Sequence, residues 1–264
     1  MDIKIMYNES SKILARVLKS KFKQEGFNIV DSHADCVCII GGDGTFLRAL
    51  RKLNYDSIPV YIGINSGNLG YLQDVHIDKV DDMINYLKSK EEIRANKVEL
   101  ADITYVYSNN KQKDCAVNEI QISGKHYHKI KFELSDCNGF KEEVVSSGIV
   151  FATPFGSTAY NKSLGGPVIC EGIDALCATL FAPIQNSKTR DYIQNSIVGK
   201  KFEIKVLSDI NDVEVIIDGQ NVDLDFENLS KIQITIGTKE IFKLNYNNKT
   251  YSENMLEKML KSNL

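Results

Sequence analysis

The stretch that decides the fold is CVCIIGGDGT, residues 36–45. Its first half is a continuous apolar run, which is typical of a strand buried on both faces of a parallel sheet. Its second half is a glycine-rich turn, and apolar residues at helical spacing follow from Phe46 to Leu53. A strand, a glycine turn and a helix in this order predict a βα unit whose helix begins at the turn.

The same alternation of strand and helix extends to both sides of this stretch. Strands are predicted at Ile3–Tyr7 and Pro59–Asn65, and a helix at Val80–Leu87. Another helix is predicted between a cap at Ser10 or Ser11 and a terminating Gly26. We therefore predict an N-terminal α/β domain with a parallel sheet over residues 1–97.

From Val98 onward the segments become short and alternating, with turn residues between them, which is typical of antiparallel β structure. The predicted strands are Asp102–Tyr107, Cys115–Ile122, Ile130–Leu134, Phe202–Leu207, Val213–Ile217, Ile232–Ile236 and Ile241–Tyr246. The predicted fold class is thus α/β plus β, with a C-terminal antiparallel β-rich domain over residues 98–249. We expect an amphipathic helix within 250–264 to pack back on the first domain.

Composition narrows the function classes. The formal net charge is only -3, and the basic residues are scattered, which disfavours nucleic acid as a partner. No apolar run approaches the roughly 20 residues that a membrane-spanning helix needs, so we expect no membrane partner. The first residues lack the basic-then-apolar layout of a signal peptide, which predicts a cytoplasmic protein.

The cysteines and histidines predict neither disulfides nor a protein-bound metal. Cys36, Cys38, Cys170 and Cys177 lie in apolar surroundings, where each is expected to be a small buried hydrophobe in a reducing compartment. Paired Cys-x-x-Cys or histidine spacing is absent from the sequence. The segment 126–128 (His-Tyr-His) is interpreted as a surface loop rather than a metal site.

The glycine turn, residues 41–45, is the first candidate site. Glycines allow a phosphate to approach the backbone, and a helix N-terminus offers unpaired N–H donors. A carboxylate there is unexpected beside phosphate, unless Asp43 accepts a proton from an attacking hydroxyl or helps to hold a metal. The alternative is a tight turn with a solvated Asp43. The turn is neither a Walker A motif nor a Gly-x-Gly-x-x-Gly fingerprint, which disfavours a dehydrogenase.

Three further segments carry candidate polar groups. A second glycine-rich loop, 63–70, follows the next strand and is expected to face the same ligand as the first. Asn118 and Glu119 interrupt an apolar strand, so at least one should point inward and bind either ribose hydroxyls or a structural partner. The hydroxyl-rich segment 153–163 predicts a polar loop entering a short helix, with Tyr160 available to stack on a base, or simply a well-made loop.

Together these motifs resemble those of NAD kinases. The resemblance rests on the 41–45 turn, Gly67-x-Leu69-Gly70, Asn118-Glu119 and the Thr-Pro-x-Gly-Ser-Thr-Ala-Tyr stretch at 153–160, in that order along nearly the whole chain. The first motif also resembles those of diacylglycerol kinases and phosphofructokinases. The 153–160 stretch together with Asn118-Glu119 is much more specific to NAD kinases.

The resemblance implies NAD and ATP as substrates, a divalent cation such as Mg²⁺, and a homotetramer in which a neighbouring subunit completes the dinucleotide site. It makes Asp43 the catalytic base for the ribose 2′-hydroxyl. The implied phosphate loop comprises Gly41, Gly42, Gly44 and Thr45. The implied NAD-binding residues are Asp43, Gly44, Arg48, Asn118, Glu119, Val145, Ser147, Thr158, Ala159, Tyr160, Asn161, Lys162, Ser163, Ala182 and Gln220.

One departure from the family pattern concerns the run before the Thr-Pro motif. The family usually carries an aspartate where this chain has Ser147, and Phe155 replaces the usual Thr or Ser. Serine can donate and accept a hydrogen bond but offers no charge, so recognition of the nicotinamide end and the balance between NAD and NADH should differ.

The alternatives to an NAD kinase are a non-catalytic NAD-binding sensor and a lipid kinase of the diacylglycerol type.

Overall fold

The structure is a computed structural model that describes residues 1–65, 70–89, 92–170, 172–184, 194–208 and 212–247, together with positions 253 and 257. The chain forms two compact units, Met1–Val98 with Glu240–Leu264 and Glu99–Lys239. The unit boundaries lie within β6 (Ala95–Tyr107) and β17 (Leu229–Leu244). Among the described residues, no helix is long and apolar enough to cross a membrane.

The first unit is a parallel sheet with helices, as predicted. Its elements are β1 (Asp2–Tyr7), α1 (Lys12–Gln24), β2 (Asn28–Ile29), β3 (Cys36–Ile40), α2 (Asp43–Lys52), β4 (Val60–Asn65), β5 (Val75–His76) and α3 (Val80–Ser89). Strand β1 pairs with β2 and β3, β3 with β4, and β4 with β5, all in parallel. All five residues of β3 are buried, which accounts for its unbroken apolar sequence.

Helix α1 begins differently from the prediction. Ser11 occupies the N-cap position, as one of the two predicted residues, but its side chain makes no capping bond. The side-chain cap lies one turn earlier, where Oδ1 of Asn8 accepts the backbone N–H of Ser11 at 2.9 Å. This contact closes a 3₁₀ turn, Glu9–Ser11, from which α1 continues. Asparagine is among the best N-cap residues, and its position directly after β1 makes it the first side chain able to reach the turn. Gly26 ends the helix with φ +88°, as expected.

Helix α2 begins earlier than predicted, at Asp43 rather than Phe46. Gly42 is the N-cap residue, and its carbonyl accepts the amides of Thr45 and Phe46 at 2.9 and 3.2 Å. Since no side chain is needed for these bonds, the helix can begin inside the glycine turn. Asp43 therefore lies in the first helical turn, where the helix dipole favours a negative charge.

The second unit is antiparallel β structure. Besides its parts of β6 and β17, it contains β7 (Lys111–Ala116), β8 (Glu119–Gly124), β9 (Ile130–Asp136), β10 (Lys141–Ser146), β11 (Gly148–Ala152), α4 (Tyr160–Ser163), β12 (Leu176–Phe181), β13 (Asn195–Val198), β14 (Lys201–Val206), β15 (Val213–Ile217) and β16 (Gln220–Val222). One sheet runs β13-β12-β11-β8-β15-β16, and the other contains β10-β9-β14-β17 and the β6–β7 pair. Side chains from both sheets share one apolar core.

Two predicted strands of this domain differ in the structure. The run Cys115–Ile122 is not one strand, because β7 ends at Ala116 and β8 starts at Glu119. The amides between them bind the carboxylate of Asp218 instead of a strand partner. The predicted strand Ile241–Tyr246 is not a separate strand: up to Leu244 it is the end of β17, where Phe242 and Lys243 pair in parallel with Val60 and Tyr61 of β4.

Three further expectations concern the cysteines and the chain end. Cys36, Cys38 and Cys177 are buried as predicted, and burial raises the pKa of Cys36 and Cys177 to about 12. Cys170 is exposed, contrary to prediction, because the adjacent Ile169 takes the inward position. The predicted helix within 250–264 lies outside the described residues except for positions 253 and 257.

Substituting Gly148 should destabilise the second unit. A Cβ at Gly148 would lie 2.1 Å from the Phe181 ring and 2.7 Å from the Ile122 carbonyl oxygen. We expect Gly148→Ala to lower the free energy of unfolding by roughly 1–3 kcal/mol, as overpacking does. The control is Gly199→Ala, where a Cβ has no neighbour within 4 Å. Urea titrations followed by circular dichroism should show no loss for Gly199→Ala, and equal losses for both variants would contradict the packing argument.

Candidate active site

The carboxylate of Asp43 is held by two backbone amides directly after the second glycine loop. Its Oδ2 accepts the amide of Tyr71 and its Oδ1 accepts the amide of Leu72, each at 2.9 Å. An ionised carboxylate has about four lone-pair sites, so two amides leave acceptor capacity on both oxygens. These bonds fix the orientation of Asp43, which is half-buried and lies beside Gly70 of the second loop.

Two glycines of these loops are required by close approach. A Cβ at Gly70 would lie 2.6 Å from Oδ1 of Asp43, and one at Gly41 would lie 2.7 Å from Oγ1 of Thr45. Gly41 also has φ +147°, which side chains rarely adopt. Gly42 and Gly44 are exposed, and a Cβ at Gly42 would meet nothing within 4 Å, so this backbone is open to an approaching phosphate.

A basic cavity lies beside the glycine turn. It has a volume of about 560 Å³, and its charged lining residues are Arg48, Lys4, Lys52 and one acidic residue, Asp31. Arg48 is exposed, one helical turn after Gly44. Three cationic side chains outnumber the one carboxylate, so the cavity favours anions. Sequence reasoning named Arg48 but missed the two lysines, because Lys4 on β1 and Lys52 on α2 line the same cavity as Arg48 only once these two elements are packed together.

Asn8 is a further residue that the sequence interpretation missed. Its Nδ2 donates to Oγ1 of Thr45 at 2.9 Å, while its Oδ1 caps the turn before α1. It therefore ties the start of α1 to the glycine turn. Its position at the carboxyl end of β1 is the signal that could have found it, since ligands of open parallel sheets bind at that edge.

In the second unit, Asn118 and Glu119 carry buried polar atoms. Each residue is 8% exposed, and Oδ1 of Asn118 and Oε2 of Glu119 have no hydrogen-bond partner among the described residues. Burying a polar atom without a partner costs roughly 1–3 kcal/mol in protein mutational data. A buried polar atom without a protein partner needs another one, such as an ordered water, an ion or a ligand group. The prediction that at least one of this pair points inward is confirmed for both.

Asp218 fixes the backbone at Asn118 and Glu119, although sequence reasoning treated it only as part of a turn. Its Oδ2 accepts the amide of Val117 at 2.9 Å, and its Oδ1 accepts those of Asn118 and Glu119 at 2.8 and 3.2 Å. The backbone of Asp218 has φ 48°, a conformation that aspartate tolerates better than most residues. Asp218 thus holds the break between β7 and β8 at which Asn118 and Glu119 are presented.

The environment of Glu119 favours its neutral form. Burial raises the pKa of Glu119 to about 8, the negative charge of Asp218 adds to the rise, and the backbone amide of Tyr160 opposes it. At pH 7 the Glu119 carboxyl is therefore mostly protonated and can donate a hydrogen bond, while Oδ1 of Asn118 can accept one. A neighbouring donor and acceptor suit hydroxyl groups, which do both.

The hydroxyl-rich segment 153–160 acts partly as a clamp on Asn118. Oγ1 of Thr153 donates to the Val117 carbonyl at 2.6 Å, and the amide of Thr153 donates to the Asn118 carbonyl at 2.9 Å. A Cβ at Gly156 would lie 2.0 Å from that same Asn118 oxygen. The Thr-Pro-x-Gly spacing therefore allows the backbone at Gly156 to approach the backbone at Asn118 closely. This is a structural role for the loop, the alternative to ligand binding that the sequence left open.

The segment 158–163 divides into exposed and enclosed residues. Tyr160, Lys162 and Ser163 are exposed, Ala159 is half-buried, and Thr158 is buried. Asn161 is fully buried: its Nδ2 donates to the carbonyls of Ser157 and Pro167 at 3.0 and 2.8 Å, and its Oδ1 accepts Oγ1 of Thr179 at 2.7 Å. These bonds give Asn161 a role in holding the loop, while Tyr160 has the exposure that base stacking needs.

The remaining predicted residues lie at both ends of β11. Gln220 begins β16, two residues after Asp218, near the end where Ala152 pairs with Glu119. Val145, Ser147 and Ala182 lie at the other end, where Ser147 donates to the Phe181 carbonyl at 3.2 Å and Val145 accepts the amide of Ile184 at 2.8 Å. The four steps along β11 separate these ends by roughly 13 Å, at about 3.3 Å per residue.

Comparison with known proteins supplies the family. The model of the ATP-NAD kinase N-terminal domain matches residues 4–92, and that of the ATP-NAD kinase C-terminal domain matches residues 117–244. The NAD kinase of Finegoldia magna is 29% identical over 98% of this chain and 97% of that protein. The NAD kinase of Clostridium tetani is 32% identical over 76% of this chain and 71% of that protein.

Solved structures show the same fold. A yeast NADH kinase complexed with NADH has a TM-score of 0.81 at 16% identity, over 99% of this chain and 86% of that one. An Archaeoglobus fulgidus NAD kinase in complex with ATP has a TM-score of 0.77 at 22% identity, over 98% and 99%. The parallel sheet, the antiparallel sheets and the glycine turn agree with these comparisons, and together they define a two-domain nucleotide kinase. The chain belongs to the NAD kinase family.

Replacing Glu119 with its neutral isostere should flatten the dependence of stability on pH. The folded-state pKa of Glu119, about 8, exceeds the ordinary value of 4.5. The folded protein therefore keeps a proton that the unfolded chain loses, and stability falls as pH rises between these values, by up to about 1.4 kcal/mol per pH unit. Glu119→Gln removes this loss, so the variant should gain stability relative to the wild type from pH 5 to pH 8.

Urea unfolding at a series of pH values measures this difference. The control is Glu143→Gln, which removes an exposed carboxylate on β10 and should keep the wild-type pH dependence. Parallel curves for the wild type and Glu119→Gln would show that Glu119 is ionised in the folded protein.

Proposed function

We propose that this chain transfers the γ-phosphoryl group of ATP to the 2′-hydroxyl of the adenosine ribose of NAD, giving NADP and ADP, with Asp43 as the catalytic base. The family membership supports the reaction. The observation that carries the role of Asp43 is its carboxylate, fixed by two backbone amides in the first turn of a helix that starts within a glycine loop.

In this mechanism Asp43 acts on the nucleophile. A ribose hydroxyl is a poor nucleophile until its proton is removed. An oxygen of Asp43 accepts the 2′-hydroxyl proton as the ribose oxygen forms a bond to the γ-phosphorus. The bond from that phosphorus to the bridging oxygen of ADP breaks in line, and ADP leaves with the electron pair. Asp43 then returns its proton to solvent.

The glycine turn and the basic cavity would seat the phosphates. Gly41, Gly42, Gly44 and Thr45 lie at or next to the N-terminus of α2, where backbone N–H groups and the helix dipole favour anions. Arg48, one turn further along, adds a positive charge. We assign these residues to the phosphate groups of the two substrates.

A divalent cation such as Mg²⁺ fits this site if it arrives on the triphosphate. Among the described residues, no three His, Cys, Asp or Glu side chains come together as a metal cage. Mg²⁺ is commonly held by one or two carboxylates together with substrate phosphates, so a single carboxylate is sufficient. Asp43 would supply that oxygen ligand. The cation neutralises charge on the triphosphate when it is bound.

The dinucleotide would be recognised by the second unit. Asn118 and Glu119 offer an acceptor and a donor to ribose hydroxyls, which fits their unsatisfied buried atoms. We assign Thr158, Ala159, Tyr160, Lys162 and Ser163 to the base pockets, with Asn161 holding their loop. The predicted contacts of Gln220, Val145, Ser147 and Ala182 stay assigned to the dinucleotide, with Ser147 in place of the usual aspartate.

We further propose a cytoplasmic homotetramer. Val145, Ser147 and Ala182 lie at the opposite end of β11 from Glu119, so a neighbouring subunit could use this second group to complete a dinucleotide site. The six cysteines, all free among the described residues, suit a reducing compartment.

Asp43→Asn should fold normally but lose activity. General-base assistance is typically worth about 10²–10⁴-fold, so kcat should fall by at least roughly 10²-fold. The measurement is NADP formation from ATP, Mg²⁺ and NAD, read out with an NADP-specific dehydrogenase. Asp82→Asn is the control, since it removes an exposed carboxylate of the same unit and should leave kcat unchanged. Near wild-type turnover by Asp43→Asn would refute the base assignment.

Asn118→Ala should weaken NAD recognition more than chemistry. Removing a hydrogen bond to a ribose hydroxyl costs about 1–1.5 kcal/mol, so KM for NAD should rise by roughly 5- to 10-fold while kcat changes little. Asn138→Ala, in the exposed turn between β9 and β10, is the matched control. An unchanged KM for NAD would place Asn118 outside the dinucleotide site.

The same assay separates the alternatives. A non-catalytic sensor would bind NAD, measured by calorimetry, without forming NADP. A lipid kinase of the diacylglycerol type would phosphorylate diacylglycerol in vesicles and leave NAD unchanged. The presence of Asp43 and the family membership both favour the NAD kinase.

A further inference from the structure

Lys243 is a buried cation that the proposed function does not use. It lies near the end of β17 and is 4% exposed. Its Nζ donates to the Leu72 carbonyl at 2.6 Å and to Oδ1 of Asp74 at 2.9 Å, and it lies 4.9 Å from the ring centroid of Phe46. Burying an ammonium group is costly, and such a group is retained where its partners are well placed.

These contacts converge on the segment that holds Asp43. The carbonyl of Leu72 binds Lys243, while the amide of the same residue binds Oδ1 of Asp43. Asp74, the second partner of Lys243, accepts the amide of Gly63 at 3.1 Å and donates its own amide to the Gly63 carbonyl at 2.9 Å. The segment 71–74 is therefore fastened to β4 and to β17 on one side and to Asp43 on the other.

Phe46 connects the same cation to the helix that carries Asp43. It is fully buried in α2, three residues after Asp43, and its ring faces the ammonium of Lys243. A cation over an aromatic ring is stabilising, more so when it is desolvated. Lys243 thus contacts both bodies whose relative position sets the Asp43 hydrogen bonds: helix α2 and the segment 71–74.

We propose that Lys243, paired with Asp74, is a positioning residue for phosphoryl transfer: it fixes the Tyr71 and Leu72 amides that orient the Asp43 carboxylate. This inference rests on the proposed role of Asp43 as the base. A base that is misplaced by a fraction of the productive distance loses catalytic efficiency, although substrate binding elsewhere is maintained. The side chain acts through Leu72 and Asp74, not on the substrate.

The first test is Lys243→Met, which keeps the length of the side chain and removes its charge and donors. We expect kcat to fall by roughly 10- to 100-fold, as small misplacements of catalytic groups do, with KM for NAD within about 3-fold of the wild type. The matched control is Lys231→Met on the same strand, where a partly exposed lysine pairs with Glu203 at 2.7 Å. This control should keep the wild-type kcat.

A second variant separates positioning from stability. Lys243→Met leaves Asp74 without its cation, whereas the double variant Lys243→Met with Asp74→Asn removes both charges, which should restore much of the stability lost. The Leu72 carbonyl still lacks the lysine donor in the double variant. We therefore expect it to regain thermal stability relative to Lys243→Met while kcat stays low.

Each outcome decides whether Lys243 positions Asp43 or only stabilises the fold. Three results would overturn the positioning role. The first is a kcat of Lys243→Met within about 3-fold of the wild type, and the second is a double variant that recovers kcat together with stability. The third is failure of both variants to fold. Asp43→Asn is measured alongside them. If it keeps its activity, the base assignment fails. If it loses activity while Lys243→Met does not, only the role of Lys243 fails.

Discussion

The first unit depends on one small set of hydrogen bonds, those that join the Asp43 carboxylate to two consecutive backbone amides. Hydrogen bonds to charged groups contribute about 1.5–3 kcal/mol each, roughly twice as much as neutral ones. They satisfy the amides of Tyr71 and Leu72 and at the same time fix the carboxylate. Gly70 follows from this arrangement, since a side chain at that position would collide with Oδ1. The structural role of Asp43 and its proposed catalytic role are therefore carried by the same atoms.

A second carboxylate organises the other unit by the same chemistry. Asp218 collects three amides at the break between β7 and β8, and so prevents Val117 and Asn118 from continuing the strand. Burial raises the pKa of Glu119 to about 8, and the charge of Asp218 adds to the rise. Oδ1 of Asn118 and Oε2 of Glu119 are buried without a partner among the described residues, which is costly, and the ribose hydroxyls of the proposed ligand would satisfy them.

Local sequence patterns predicted the helices and strands better than the side-chain contacts between distant parts of the chain. The apolar run of β3 and the glycines after it were enough to predict a strand followed by a helix. The residues that hold the site together were missed because their partners are distant in sequence. Asp218 binds an amide 100 residues away, and Lys243 binds a carboxylate 169 residues away. Periodicity and turn propensity act over a few residues and contain no information about such pairs.

The sequence by itself determined the fold class, the family, and the residue types able to bind phosphate and ribose, because these depend on apolar periodicity and on short motifs. Only the tertiary structure decided that Asn161 holds a loop, that β17 ends beside β4, and which backbone amides orient Asp43. The physical reason is that burial and hydrogen-bond geometry arise from packing of distant segments, and a single side chain acquires its role from the neighbours that packing provides.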